Sequence, residues 1–373
     1  MPQVKVELGE RSYFVTVERG AVGRAAEYVP AGMRVTRVLV VTDENVGPLY
    51  AEAVTGSFKR VRIPAAVVAL PAGEREKNLG RVESLYHKMV AAGLDRKSLL
   101  VALGGGVVGD IAGFAAATYM RGIPVMQVAT TIVAQVDSSI GGKTGVDLAE
   151  GKNLVGAFHQ PVAVVIDPAT LGTLPEREAR AGLAEVIKHG VIKDAEYFAL
   201  LEREGARLVG MGPEMAERVI LRSVEIKAAV VSADERESGA RAILNFGHTV
   251  GHALEVVTGY KRYLHGEAVA VGMIAAANIA VAAGMCGAEV PARIRALLTA
   301  VGLPTSPEPT SPEPTAPERV KATEIVEAIA RDKKAVGGQA RFVLPREIGR
   351  VEVVERVDVN VLAGGLVKTG FLP

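Results

Sequence analysis

The first half of the chain alternates short apolar runs with segments of helical periodicity, and this alternation constrains the fold more than any other feature. The apolar runs lie at Val38–Val41, Ala65–Leu70, Leu99–Leu103 and Val125–Val128. Short strands that are apolar on both faces are typical of a parallel sheet that helices cover on both sides. The pattern therefore predicts an α/β fold whose N-terminal domain is a Rossmann-like parallel sheet.

The second half, from Pro175 to about Val301, shows almost only helical periodicity. Thr173–Glu176 has the form of a capping box with a proline in the first turn, which predicts the start of a helix. Two hairpins are predicted, one near each end of the chain: 4–7 with 13–17, and 341–344 with 351–354. We expect an α/β domain over 1–174 and an all-α domain over 175–373 that closes with the second hairpin.

Composition excludes several classes of function. The 43 basic and 42 acidic residues leave a net charge of +1, so no bulk charge draws the chain to nucleic acid or membrane. Tryptophan is absent and aromatic residues make up 4%, which argues against a base-stacking surface. The single cysteine, Cys286, cannot form an intrachain disulfide, and residues 1–5 lack the apolar block of a signal peptide. We expect a cytoplasmic protein.

Two segments need a separate interpretation. Ala268–Met285 is uncharged and nearly long enough to span a bilayer, but it consists mostly of Ala, Gly and Val. We interpret it as a helix buried on all sides in a soluble protein. Pro304–Glu318 repeats proline, threonine, serine and glutamate, and we expect a solvated surface loop there.

A glycine-rich turn follows the run at Leu99–Leu103. The segment Gly104–Asp110 satisfies the G-x-G-x-x-G pattern, which lets a backbone approach a pyrophosphate at a helix N-terminus. The same glycines would also suit a plain tight turn between a strand and a helix. No acidic residue lies about 20 residues on to hold a ribose. If a dinucleotide binds, Asp43 and Glu74, at the ends of other strands, are the candidates for that role.

A second polar, glycine-rich segment runs over Val136–Gly145, and Gly151–Asn153 follows it closely. Lys143 and Lys152, set among backbone N–H groups, suit an anion such as phosphate. The alternative is an exposed flexible loop.

Three of the six histidines lie between positions 248 and 265. His248 and His252 are spaced i and i+4, so they share one helix face, and His265 follows. Glu185 lies on an apolar helix face, where an unpaired carboxylate would be expensive. Buried histidines are usually just hydrogen-bonded, but two histidines and a carboxylate also form a metal site with an open position.

Basic residues gather around the same region: Lys188, Lys227, Arg241, Lys333 and Lys334. Each alone is typical of a solvated helix face, and Glu237 would by default pair with Arg241 at i,i+4 spacing. Together they indicate a highly anionic substrate. Arg121 would either reach a phosphate or pair on the surface.

These motifs together resemble the dehydroquinate synthase family, over the whole chain from the first strands to the final hairpin. The segments that carry the resemblance are 104–110, 119–124, 130–131, 137–145, 151–153, 182–188, 244–252 and 265–267. The proline-rich loop at 304–318 departs from the family pattern and puts in doubt which of Lys333 and Lys334 aligns with the family's lysine.

The resemblance implies a role for each matching residue. It implies a zinc site, or cobalt in its place, formed by Glu185, His248 and His265. It implies that NAD is bound by Asp43, Glu74, Lys77, Gly105, Gly106, Val107, Asp110, Thr130, Thr131, Lys143, Lys152, Thr170 and Thr173. It implies that substrate is bound by Arg121, Asp137, Lys143, Asn153, Lys188, Lys227, Arg241, Asn245, His252 and Lys333. It places catalytic function on His252, Glu237, Lys143, Arg241 and Asn245.

The resemblance also implies a reaction and a partner. The family converts 3-deoxy-D-arabino-heptulosonate 7-phosphate to 3-dehydroquinate and phosphate, in the pathway to aromatic amino acids, with Arg121 reaching the substrate phosphate of the neighbouring subunit in a homodimer. Three alternatives remain open: a related sugar-phosphate cyclase, a metal-dependent polyol dehydrogenase, and a non-catalytic protein stabilised by a metal.

Overall fold

The structure is a computed structural model that describes residues 2–308, 319–336 and 341–373. By their internal contacts the residues form two units. The first unit consists of the residues up to Leu174 together with Gly212–Arg236, and the second consists of Pro175–Met211 together with Glu237–Pro373. The expected domains, 1–174 and 175–373, differ from these units at 212–236, which joins the first unit by its contacts. Of the expected surface loop at 304–318, residues 309–318 lie outside the described part of the chain.

The first unit is built on a mostly parallel sheet. Its strands are β1 (Gln3–Val6), β2 (Tyr13–Val17), β3 (Val38–Asp43), β4 (Ala65–Leu70), β5 (Leu99–Gly104), β6 (Val125–Ala129), β7 (Lys143–Leu148), β8 (Gly151–Phe158) and β9 (Ala163–Ile166). Within the described residues one sheet has the order β1-β2-β9-β6-β5-β3-β4, parallel throughout except that β1 pairs antiparallel with β2. The predicted parallel sheet and N-terminal hairpin are confirmed.

Helices cover both faces of this sheet. Those of the first unit are α1 (Gly47–Arg60), α2 (Leu79–Ala91), α3 (Gly106–Thr118) and α6 (Pro213–Ala233). Alternate strand residues point to opposite faces. Leu39 and Val41 join a core with α2 and α3, while Val38 and Val40 join a second core with α1. This explains why these strands read as continuous apolar runs rather than as alternating ones.

The polar segment after β6 is not a simple loop, as one interpretation of the sequence allowed. Residues 134–138 form a π-helical turn, and β7 and β8 then pair as an antiparallel hairpin. Gly145 lies opposite Gly156, and a Cβ on Gly156 would meet the carbonyl oxygen of Thr144 at 2.3 Å. The glycines therefore serve close strand contact here rather than loop flexibility.

The second unit is mostly helical. Its elements are α4 (Glu176–Lys193), α5 (Ala195–Glu204), α7 (His248–Val257), α8 (His265–Ala282), α9 (Glu289–Ala300), α10 (Ala322–Val336), β10 (Phe342–Glu347), β11 (Arg350–Val354) and α11 (Val359–Thr369). The predicted closing hairpin is confirmed as β10–β11, but α11 follows it and was not predicted. The predicted capping box is wrong, because α4 begins without a side-chain cap and the Thr173 hydroxyl donates to the carbonyl of Thr170 instead.

Helix α8 is the apolar segment that resembled a membrane span. By length and composition it could cross a bilayer, yet 83% of it is buried inside the protein. Packing against α4, α7 and α11 provides that burial. The prediction of a core helix buried on all sides is confirmed.

Candidate active site

The strand order of the first unit's sheet reverses at β3, and a ligand-binding crevice is expected at the carboxyl ends of the strands there. The chain passes from β3 to β4 on one side and later returns to β5 on the other side of β3. Parallel sheets bind ligands beyond the carboxyl ends of strands at such a reversal. Asp43 ends β3 and Gly104 ends β5, so the glycine turn and this carboxylate flank the crevice. The Asp43 carboxylate is held there by the N–H groups of Asn45 and Val46, at 2.9 and 2.8 Å.

At the glycine turn before α3, a side chain in place of a glycine would crowd the neighbouring residues and cover the backbone N–H groups. A Cβ on Gly105, the N-cap of α3, would lie 3.0 Å from the Thr131 methyl group. Gly106 and Val107 open α3, whose first N–H groups have no partner within the helix and suit an anion. The bare turn therefore fits a pyrophosphate, as the pattern predicted.

Charged and polar side chains gather beside α3. Lys77, only 5% exposed, lies 2.5 Å from Asp110 and donates to the Asn153 amide oxygen at 2.6 Å. Burial raises the pKa of Asp110 to about 6 despite the attraction of Lys77. Lys152 pairs with Glu74 at 3.3 Å. Thus residues expected to bind NAD lie with Asn153, which was expected to bind substrate.

The threonines expected to bind NAD lie in two segments, one directly after β6 and the other in the 3-10 turn over Pro168–Thr173. Thr130 is buried directly after β6. Thr170 is buried, and its hydroxyl accepts a hydrogen bond from the Gln135 amide at 3.0 Å. The Thr173 hydroxyl lies 2.7 Å from that of Tyr50.

Three of the residues expected to bind substrate sit on irregular backbone or strand ends of the first unit. Asp137, in the π-helical turn, forms an ion pair with Lys227 of α6. Arg121 is exposed in a left-handed conformation with φ of 70°, a backbone state uncommon for residues other than glycine. Lys143 is exposed at the start of β7.

Three helices of the second unit position the expected metal ligands. Glu185 lies in the middle of α4, fully buried, and His248 and His265 are the first residues of α7 and α8. Small residues let these helices approach closely. A Cβ on Gly266 would meet the Ala181 carbonyl oxygen at 1.8 Å, and one on Gly272 would meet the Gly247 oxygen at 1.9 Å.

The three expected ligands converge. Glu185 Oε1 lies 3.5 Å from His248 Nε2 and 3.6 Å from His265 Nε2. Donors at about 2.0–2.1 Å from a tetrahedral cation are separated by about 3.4 Å, so this spacing fits one zinc-sized ion. The other carboxylate oxygen of Glu185 pairs with Lys188.

The protonation states of His248 and Glu185 also suit a cation. Burial lowers the pKa of His248 well below its usual value and so favours the neutral ring. Its Nδ1 lies 3.2 Å from the Phe246 carbonyl oxygen, which leaves the lone pair of Nε2 available to bind a cation. Burial would raise the pKa of Glu185, but Lys188 and the two histidines hold it well below its usual value. Burial also lowers the pKa of His265, yet the Glu185 and Glu255 carboxylates outweigh it and raise the value to about 9.

A second grouping of donors overlaps the first. Nitrogens of His248, His252 and His265 lie within 4.8 Å of one another, with ring centroids 5.3–5.7 Å apart. The two separations from Glu185 lie within about 0.2 Å of the roughly 3.4 Å edge of a zinc tetrahedron. Both sets share His248 and His265 and differ in Glu185 or His252 as the third donor.

The remaining expected residues of the second unit are Arg241, Asn245, Glu237, Lys333 and Lys334. The Arg241 guanidinium is 1% exposed, in a 3-10 turn over 240–245 that packs against α4. The Asn245 amide donates to Glu237 Oε1 at 2.5 Å. Glu237 precedes this turn, so no helix links it to Arg241, and the predicted pairing of the two side chains stays a prediction. Lys333 and Lys334 belong to α10, but their side chains lie outside what the structure describes.

One residue at this site was not predicted. Glu255 of α7 is 2% exposed, and its Oε2 lies 3.5 Å from His265 Nδ1. Its position, seven residues after His248 and three after His252, places it on the same helix face, and this spacing is a signal that the sequence contained.

Comparison with known proteins identifies the family. The profile described as 3-dehydroquinate synthase N-terminal matches residues 67–181, and the one described as 3-dehydroquinate synthase C-terminal matches residues 182–335. A 3-dehydroquinate synthase from Symbiobacterium thermophilum is 50% identical over 364 residues, covering 97% of this chain and 99% of that protein.

Two solved structures have the same architecture. A 2-epi-5-epi-valiolone synthase from Streptomyces hygroscopicus, with NAD+ and Zn2+ bound, superposes with a TM-score of 0.85 at 30% identity, over 97% of this chain and 98% of that one. A 2-deoxy-scyllo-inosose synthase complexed with carbaglucose-6-phosphate, NAD+ and Co2+ gives a TM-score of 0.85 at 25% identity, over 98% and 99%.

Proposed function

The chain belongs to the 3-dehydroquinate synthase family, and from this membership we propose that it converts 3-deoxy-D-arabino-heptulosonate 7-phosphate to 3-dehydroquinate and phosphate. The enzyme is a carbon–oxygen lyase, since a C–O bond to phosphate breaks without net oxidation. The observation that carries the proposal is the convergence of Glu185, His248 and His265 at donor spacing in the unit that also buries Lys188 and Arg241.

We assign the metal site to those three donors. The spacing and the neutral state of His248 support a divalent cation, zinc or cobalt. When bound, such a cation polarises substrate hydroxyl groups and lowers the free energy of an alkoxide. Glu185 gives the site one negative charge, and three protein donors leave a position for substrate.

We assign NAD to the crevice of the first unit. The bare turn at Gly105 and Gly106 supports a pyrophosphate against α3, and we propose the thirteen residues implied by the resemblance as the contacts of the cofactor. When bound, NAD would supply a reversible hydride acceptor for a substrate hydroxyl carbon. The ketone so formed would acidify the neighbouring C–H so that phosphate can be eliminated, and return of the hydride would leave no net oxidation. Lys77, buried between Asp110 and Asn153, holds a positive charge near the helix start that would meet the pyrophosphate.

The substrate carries a carboxylate and a phosphate, and we propose that buried cations neutralise them. Lys188 and Arg241 are each 1% exposed, so both charges require anionic partners. Glu185 already pairs with Lys188, and the substrate would add negative charge to the same region. The further proposed substrate residues are Arg121, Asp137, Lys143, Asn153, Lys227, Asn245, His252 and Lys333.

Proton transfer is proposed for His252 and Glu237. Asn245 donates to Glu237 Oε1 at 2.5 Å and so fixes the carboxylate direction. The His252 ring centroid lies 5.3 Å from that of His248, a proposed ligand, so a proton carried by His252 would be close to the proposed metal site. The leaving phosphate is itself a base that can take the acidified proton, so the protein mainly orients substrate and neutralises charge.

A homodimer in the cytoplasm completes the proposal. The left-handed backbone at Arg121 holds an exposed guanidinium at a turn, which supports a role toward the phosphate bound by a neighbouring subunit. Size-exclusion chromatography with light scattering tests the dimer.

Phosphate release from the heptulosonate phosphate tests the function. Protein loaded with zinc and NAD should release phosphate while the absorbance of NADH stays flat, and omission of either cofactor should stop release. Accumulating NADH would favour a polyol dehydrogenase instead. Faster turnover of sedoheptulose 7-phosphate would favour a related cyclase, and no turnover of any sugar phosphate would overturn the proposal.

A further inference from the structure

Glu255 is a buried carboxylate beside the proposed metal site. It is 2% exposed, near the C-terminal end of α7, the helix that begins at His248. Burying a carboxylate costs free energy unless a polar or charged group interacts with it. His265 Nδ1 is such a group, at 3.5 Å from Glu255 Oε2.

The His265 ring lies between two carboxylates. Its Nε2 faces Glu185 Oε1 at 3.6 Å, and its Nδ1 faces Glu255 Oε2 at 3.5 Å. The two nitrogens lie on different sides of the imidazole ring, so a half-turn of the ring would break both contacts. A proton held on Nδ1 by a carboxylate leaves Nε2, which faces Glu185, as the nitrogen that can bind a cation.

The two histidines are supported differently. His248 Nδ1 faces a neutral backbone carbonyl, that of Phe246, at 3.2 Å. His265 instead faces a charged acceptor, which fixes the tautomer and also raises the basicity of the ligand nitrogen. The main-chain oxygen of Glu255 accepts the Tyr260 N–H at 2.8 Å, so the backbone at Glu255 also shapes the turn that leads to His265.

We propose that Glu255 is a positioning residue that orients His265 for the metal. The proposal rests on the proposed function, because it presumes that His265 is a metal ligand. It assigns Glu255 no contact with substrate, and its effect on the metal passes through the imidazole ring.

Zinc affinity, measured by competition with a chromophoric chelator, tests the proposal. Glu255→Leu keeps the size and removes the acceptor, and it should raise the zinc dissociation constant about 10- to 100-fold. Glu255→Gln keeps an acceptor oxygen and should lose less than about 10-fold. The visible spectrum of the cobalt-loaded protein should change in both variants, because the ring of one ligand is held differently.

Asn278→Leu is the matched control. Asn278 is a buried polar residue on α8, hydrogen-bonded to Thr369 at 3.0 Å and remote in sequence from His265. Its loss should lower thermal stability and leave zinc affinity and the cobalt spectrum unchanged.

The outcomes separate the two claims. Wild-type protein that binds no zinc would overturn the metal assignment itself. Wild-type protein that binds zinc, together with Glu255→Leu of unchanged affinity, would overturn the role of Glu255 alone. If Glu255→Leu does not fold, Glu255→Gln decides, and an unchanged dissociation constant with an unchanged cobalt spectrum contradicts the proposal.

Discussion

Gly266 sets how closely the helix that begins at His265 can approach the helix that carries Glu185. A Cβ built on Gly266 lies 1.8 Å from the Ala181 carbonyl oxygen, one turn before Glu185. An ordinary carbon–oxygen contact needs about 3.3 Å, so Gly266→Ala must separate the two helices there by about 1.5 Å.

This displacement is large relative to the metal site. Added to the 3.6 Å between Glu185 Oε1 and His265 Nε2, it gives about 5 Å. Two donors on one zinc ion can be at most about 4.2 Å apart, so the variant cannot use both ligands without further distortion. We expect zinc affinity to fall by at least about 100-fold, more than the loss expected when a residue supporting a ligand is changed. Overpacking should also lower the free energy of unfolding by about 1–3 kcal/mol.

Gly364→Ala is the control for this substitution. Gly364 lies in α11, and a Cβ there would meet nothing within 4 Å. The same added methyl group should leave zinc binding unchanged and stabilise the helix by up to about 1 kcal/mol. Urea unfolding and a zinc competition titration measure both quantities. Wild-type stability and zinc affinity in Gly266→Ala would refute the reasoning from helix contact.

Three further predictions concern separate residues. Burial lowers the pKa of His189 to about 3, so below pH 6.5 the unfolded chain binds a proton that the folded chain does not. The metal-free protein should lose about 2 kcal/mol of stability from this group between pH 7.5 and 5. Neither ring nitrogen of His189 has a hydrogen-bond partner in the described structure, so His189→Phe should fold and lose less stability over that range. Equal losses in both proteins would contradict this. His248→Ala should abolish zinc retention and leave NAD binding measurable by fluorescence, whereas equal loss of both would show that the sites are coupled. Lys77→Met removes the buried cation beside Asp110 and should weaken NAD binding at least about 10-fold by calorimetry, and unchanged affinity would exclude Lys77 from the cofactor site.

The strands of the first unit could be predicted because burial on both faces makes them apolar throughout. Leu99–Gly104 is buried at every position and extends the predicted run at Leu99–Leu103 by one residue. The hairpin β7–β8 could not be read in the same way, since Gly145 and Gly156 lie opposite each other for close approach and give the segment the composition of a loop. Helix α11 was missed for another reason, because the closing hairpin was taken as the end of the fold.

The candidate site was predictable in its residue types more than in its geometry. Histidine spacing placed His248 and His252 on one helix face, but only packing brings Glu185 of another helix to 3.6 Å from His265. Glu255 was missed because a glutamate within a helix is usually exposed, and its burial depends on where α8 begins.

X-ray absorption at the zinc edge of the loaded protein tests the central claim most directly, because it counts imidazole ligands. The convergence of Glu185, His248 and His265 predicts two imidazoles with the remaining donors oxygen. Three imidazoles on the zinc would contradict it and would assign the third position to His252.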